Sequence, residues 1–162
     1  MNEQRNNSTK ENAASGENPT GKTTWAVRIS FALVFLINVQ CALQFLLTPE
    51  SFAGAYELSG VPGTAAIQGM GVTFLMWNIT YPAFIWSPQR FHVLGPVILI
   101  QQAIGLVGET AILLGLPAGH TLLSASICRF IFFDGIGLAI MGISFAFFCW
   151  AQKRRGRTRC RL

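Results

Sequence analysis

Only seven charged residues, Arg28, Glu50, Glu57, Arg90, Glu109, Arg129 and Asp134, occur between Trp25 and Trp150. A soluble globule carries charge on about a quarter of its residues to solvate its surface, so a stretch this poor in charge belongs in a bilayer. The other twelve charges collect at the ends, six before Trp25 and six after Trp150. That distribution argues against a soluble enzyme, a disulfide-stapled secreted mini-protein and a nucleic-acid-binding domain.

A membrane-crossing helix needs ~20 apolar residues, because the hydrocarbon core is ~30 Å thick and each residue rises ~1.5 Å. Four segments meet this requirement, at roughly 25–47, 65–86, 93–116 and 122–150. Helices are expected because every backbone amide must be satisfied internally in lipid and the alternating pattern of barrel strands is absent. The sequence thus predicts an all-α integral membrane four-helix bundle over residues 23–150. A polar tail, 1–22, precedes it and a basic tail, 151–162, follows. The first tail is too polar to bury a core and is expected to be disordered. Its Asn6-Asn7-Ser8-Thr9 stretch contains glycosylation sequons, which stay inert on a cytoplasmic tail. Ala53-Gly54-Ala55 resembles a signal-peptide cleavage site, but the acidic leader and the long apolar run favour a retained span.

Short turns are expected at Ser87-Pro88-Gln89-Arg90 and at Pro117-Ala118-Gly119-His120. In the longer connection, Thr48-Pro49-Glu50 reads as a cap, a first-turn proline and an acid favoured by the helix dipole. It predicts a short interfacial helix to about Leu58, closed by Ser59-Gly60-Val61-Pro62-Gly63.

Lysine and arginine concentrate on the cytoplasmic side of membranes. Six of the twelve basic residues lie from Lys153 to Arg161, Arg90 lies in the middle turn, and the other two connections have none. Both termini and the middle turn are therefore expected in the cytoplasm, with the bundle in a bacterial inner membrane. Trp25, Trp86 and Trp150 fall at cytoplasmic span ends, where amphipathic rings prefer to sit. Arg28 reads as an anchor that snorkels to the headgroups. The basic C-terminal tail reads as a contact for anionic lipid at ~1 kcal/mol per charge, not for nucleic acid, since no aromatics interleave it.

Ionisable groups inside a span are costly and mark candidate sites. Glu109 precedes the external turn by about seven residues and Arg129 follows it by about nine, so both sit ~10 to 14 Å below the outer surface. The matching depth predicts a Glu109–Arg129 ion pair, read either as a helix lock or as part of a cavity. Gln40 and Gln44 share a face of the first span, Gln68 opens the second, and Gln102 shares a face of the third with Glu109. Together with Asp134 these seven residues form the candidate ligand site. Asp134 lies five residues past Arg129, rotated ~140° from it, and so needs its own explanation. A protonated acid bonded to a glutamine or backbone carbonyl, a proton carrier, and a second ion-pair member are the alternatives.

Trp77, Asn78 and Gln101 read as packing glue, and Ala111/Gly115, Gly135/Ala139 and Gly142/Ala146 as small-residue pairs for close helix contact. Cys41, Cys128, Cys149 and Cys160 form no CxxC pair and lack neighbouring histidines, so they read as free thiols rather than metal ligands. His92 and His120 flank the third span on opposite sides and cannot share one haem or zinc.

From Phe31 to about Phe148 the layout resembles the DoxX-like group of small four-helix bacterial membrane proteins. The resemblance is carried by Leu47-Thr48-Pro49-Glu50-Ser51-Phe52-Ala53, by the Leu58-Ser59-Gly60-Val61-Pro62 turn and by the glycine-rich later spans. It implies a membrane subunit of a quinone-linked or thiol-linked redox system, with a quinone in the pocket and metal or flavin on partner chains. The residues themselves point first to a small integral membrane protein with a polar pocket for a small molecule or lipid. A structural or assembly role is the third alternative, and either a homo-oligomer or partner chains would complete a working unit.

Overall fold

The structure, a computed structural model, describes residues 19–159, with side chains from 21 to 155. The sequons near Asn6, and Cys160 and Arg161, lie outside the described residues. Six α-helices follow in order: α1 Pro19–Leu47, α2 Glu50–Ala53, α3 Gly60–Asn78, α4 Tyr81–Trp86, α5 Leu94–Gly115 and α6 Thr121–Arg159. A 3-10 turn, Gly54–Tyr56, links α2 to the segment leading into α3. Pro19 to Lys22, at the end of the polar tail, already belong to α1.

Three of these helices contain stretches long and apolar enough to cross a membrane: Gly21–Leu47, Leu94–Gly115 and Thr121–Arg155. Their outward faces are greasy, with Leu36, Ile104, Leu114 and Ile143 all exposed. The expected second span is instead divided into α3 and α4. Pro82 is the cause, because its ring removes an amide donor and presses on the carbonyl four residues back, that of Asn78. Ile79 and Thr80 keep helical backbone angles through the break, so the chain kinks there without reversing.

Packing is asymmetric. Helices α1 and α6 form the central pair, with α3 and α4 lying on α1 and α5 on α6. Two apolar cores result. One gathers Val27, Phe31, Tyr81, Phe84, Ile98, Met141 and Phe148 toward the Ser87–Arg90 turn. The other surrounds Phe45, Ala53 and Ile67 toward the opposite end, which carries α2 and the turn before α6.

Several local expectations give way to tertiary contacts. Thr48 does not cap α2; its hydroxyl donates back to the Gln44 carbonyl within α1. Arg28 does not snorkel outward: its Nε donates to the Ile85 carbonyl at 2.8 Å and its guanidinium covers the Trp25 ring, tying α1 to the end of α4. The expected small-residue pairs are not the tight contacts, since Gly115 and Gly142 have open space beside them and Gly135 touches only a Leu106 methyl. Gly71, Gly95 and Gly105 are the tight ones, and at Gly71 the nearest neighbour is backbone rather than an aromatic ring. A Cβ there would stand 2.8 Å from the Ala42 carbonyl oxygen and 3.1 Å from the Phe45 Cβ, so α1 and α3 meet backbone to backbone.

Gly71→Ala should therefore lower the unfolding free energy in detergent by ~1 to 3 kcal/mol, the usual cost of overpacking. Gly69→Ala, two residues away with nothing within 4 Å, should be neutral or gain up to ~1 kcal/mol from helix propensity. Equal stability of the two variants would refute the close approach.

Candidate functional site

The seven expected site residues do not converge. Gln40 and Gln44 are exposed along a shallow groove whose walls all come from α1 and the following Thr48. A single helix is convex, so its polar face cannot enclose a ligand. Gln68 is also exposed and its amide reaches only the Leu46 carbonyl, at 3.5 Å. Among the described residues, no nitrogen of Arg129 comes within ion-pair distance of Glu109. Counting residues to a turn sets a level along a helix and carries no facing direction. Arg129 donates to Ser126 Oγ at 3.1 Å, on its own helix, while one buried Glu109 oxygen has no hydrogen-bond partner among the described residues.

Two of the seven do meet. Gln102, 2% exposed on α5, donates from Nε2 to Asp134 Oδ1 at 2.8 Å on α6. Its Oε1 accepts from the Tyr81 hydroxyl of α4 at 3.4 Å. Gly105, one turn along α5, leaves room for this layer: a Cβ there would lie 2.8 Å from the Trp77 ring and 3.1 Å from Asp134 Oδ2. Glu109, a further turn on, is within electrostatic reach of Asp134. Of the expected packing glue, Trp77 contributes its ring, but Trp77 Nε1, Asn78 Oδ1 and Gln101 Oε1 have no hydrogen-bond partner among the described residues. Asn78 donates only to the Phe74 carbonyl of its own helix.

A half-open pocket lies elsewhere, between α1 and α6. Ile37, Asn38, Cys41 and Phe45 recur at helical spacing on α1, and Arg129, Phe130 and Phe133 face them from α6. Phe52 of α2 and Ala55 and Tyr56 of the 3-10 turn complete a cavity of about 210 Å³. Its walls are mostly rings. Phe45 is the hub, 4.9 Å from Phe52 and 6.2 Å from Phe130 by centroid, and 6.0 Å from Tyr56 with the planes at 88°. Edge-on and tilted pairs of this kind add specific attraction to plain burial. Cys41, a free thiol, lines the cavity, while Cys128 is an exposed free thiol. Four aromatic lining residues and the turn at 54–56 were absent from the expected site, since apolar rings in a membrane helix look like any other lipid-soluble residue. The signal in hindsight is ring spacing, Phe130 and Phe133 beside Arg129, the one arginine between Thr121 and Trp150.

The polar groups of this cavity are Arg129, which can only donate, the Tyr56 hydroxyl, the Cys41 thiol, and Asn38, whose amide both donates and accepts. Arg129 presents guanidinium N–H groups at the rim, and the buried Tyr56 hydroxyl has no partner among the described residues. Burial raises the Tyr56 hydroxyl well above its ordinary range, so it stays protonated, with its hydrogen unclaimed among the described residues.

The 3-10 turn is pinned over the cavity from α6. Ser126 Oγ donates to the Ala55 carbonyl at 2.7 Å. Glu57, held at a left-handed φ of 56°, accepts from His120 Nδ1 and from the Leu123 amide at 3.2 Å. The hydrogen bond from His120, then the Leu123 amide, draws the Glu57 carboxyl below its usual range. A depressed folded value means the stabilisation is complete above the ordinary ~4.3 of a glutamate and is lost as pH falls through the lower folded value.

Glu57→Gln should accordingly lower the melting temperature near neutral pH, and the gap to the parent protein should begin to shrink below about pH 4 and close only beneath the lowered folded value. A gap that persists unchanged in acid would rule out the carboxylate as the pinning group. Compared with known proteins, the chain matches no family model, no curated protein and no solved structure.

Proposed function

We propose that this chain is a four-crossing membrane protein in which α3 and the kinked α4 together make the second crossing. In this arrangement both termini and the Ser87–Arg90 turn lie in the cytoplasm, and α2, the 3-10 turn and the turn before α6 lie outside. The basic residues from Lys153 onward then meet anionic lipid on the inner leaflet, and a bacterial inner membrane is the natural setting. The cation–π contact of Arg154 over Trp150, at 3.9 Å, suits a headgroup-level position. Reporter fusions at the C-terminus and in the 116–120 turn should report opposite sides; a C-terminus on the outside would overturn this topology.

Its function, on this reading, is to bind a small apolar molecule or a lipid in the outer half of the bundle. The single observation that carries the reading is the aromatic cavity between α1 and α6, with Arg129 and Tyr56 as its donors. Binding pockets pair apolar walls with a few polar groups that fix orientation, and this one has that composition. Gln102, Glu109 and Asp134 then belong to the packing between helices, and Gln40, Gln44 and Gln68 take no part in the site. A second reading, the quinone-linked redox subunit of the DoxX-like resemblance, is favoured by the same geometry, because ring walls and two donors suit a planar ring with carbonyl oxygens. In that case metal or flavin would come from partner chains.

Mass spectrometry of small molecules extracted from the detergent-purified protein tests both. Wild-type protein should carry a bound compound that a folded Cys41→Phe variant, with a ring placed in the cavity, has lost. A quinone would select the second reading. An empty wild-type protein, or a compound retained equally by the filled variant, would overturn the pocket.

A further inference from the structure

Arg129 is a cation within a membrane-crossing segment, about nine residues into α6, and no carboxylate stands within ion-pair distance of it among the described residues. The one bond it makes, to the Ser126 hydroxyl, neutralises nothing. An intramembrane charge ordinarily pairs with an opposite charge or faces water. Here the guanidinium belongs to an exposed side chain at the rim of a ring-lined cavity that it shares with the Asn38 amide and a tyrosine hydroxyl without a partner among the described residues.

We infer that the missing partner is the ligand itself: a single-chain anionic amphiphile whose carboxylate or phosphate oxygens dock on Arg129 and Tyr56 while the start of its chain fills the ring-lined cavity. The inference rests on the pocket reading above and adds the charge and shape of the occupant. Three observations carry it. A guanidinium fork matches carboxylate and phosphate oxygens in a way a point charge does not. Aromatic cages otherwise suit quaternary ammonium groups, but the arginine in this lining repels them. At about 210 Å³ the cavity is smaller than the ~300 to 1,000 Å³ that encloses a whole drug-sized ligand, so it takes one end of a longer molecule. The rest of the chain stays in the surrounding lipid, beside exposed Ile37 and the Arg129 rim.

The test uses full-length protein in nanodiscs of zwitterionic lipid, titrated with dodecanoate, dodecanol and dodecyltrimethylammonium, with melting temperature as the readout. Dodecanoate should bind roughly tenfold more tightly than dodecanol, and the ammonium compound weakest of the three. Arg129→Gln should bring dodecanoate down to the level of dodecanol while dodecanol itself stays within about twofold of wild type. Arg129→Lys, which keeps the charge, should retain preference for the acid and so control for folding. If the acid and the alcohol bind alike, or Arg129→Gln leaves the preference intact, the anionic occupant is refuted while the pocket stands. If no amphiphile binds at all, the pocket reading falls with it. Discs doped with single-chain lysophosphatidylglycerol separate the sources: competition with dodecanoate assigns the oxygens to a lipid phosphate, and its absence assigns them to a free acid.

Discussion

Gln102 donates to Asp134 and accepts from Tyr81, so three helices, α4, α5 and α6, meet at one buried side chain. In lipid such a bond resists breaking because the groups set loose would have nothing else to bond. The bond therefore fixes how α6 is rotated about its own axis. With Asp134 held toward α5, the residue five positions earlier points ~140° away. That residue is Arg129, which consequently faces α1 and the aromatic cavity rather than Glu109. The charge at the pocket follows from the hydrogen bond in the polar layer.

The same layer separates two cores of different character. Toward the Ser87–Arg90 turn, Phe31, Tyr81 and Phe84 interlock with Ile98 and Met141, and Ser30 and Ser144 exchange a hydrogen bond at 2.7 Å between α1 and α6. The helices close on each other there. Toward the other end, short elements between the helices take up part of the packing. Phe52 and Tyr56 enter from α2 and the 3-10 turn and stand against Phe45 and Phe130, so rings face one another across a space that no side chain fills. The roof over that space hangs on few groups, with Ala55 and Glu57 held by Ser126, His120 and the Leu123 amide, which lie in the first turns of α6 or just before it.

How much of this could be read from the residues depends on which property carries the signal. Span lengths are set by runs of apolar residues, and the long helices α1, α5 and α6 lie where those runs lie. Pro82 was visible inside the second run, and its effect on Asn78 follows from the ring alone, yet hydropathy averages over it. Depth is legible in the same way, from counting residues to a turn. Azimuth is not, because nearly every position on a membrane helix is apolar and the periodicity that marks a buried face in water fades. Glu109 and Arg129 are the case in point: their level was inferable, their facing was not. Gln40 and Gln44 show the converse, a shared face that turned out to be the outer one. The glutamine bond was among the alternatives open for Asp134, and only the structure selects Gln102 over the others.

A lock and a binding site make opposite demands on an intramembrane charge. A lock spends it on a partner within the protein; a site keeps it where a ligand can reach. Had Glu109 paired with Arg129, both demands would have fallen on the same two residues and the polar cluster would have served packing alone. The helices are instead joined by an uncharged donor, Gln102, and the cation is left at the rim of the cavity with only the Ser126 hydroxyl to hold its direction. Moving Arg129 toward Glu109 would require α6 to turn and Asp134 to leave Gln102, which couples the two arrangements through a single helix rotation. The hydrogen bond that builds the bundle is thus also the reason Arg129 faces a space shaped for something else.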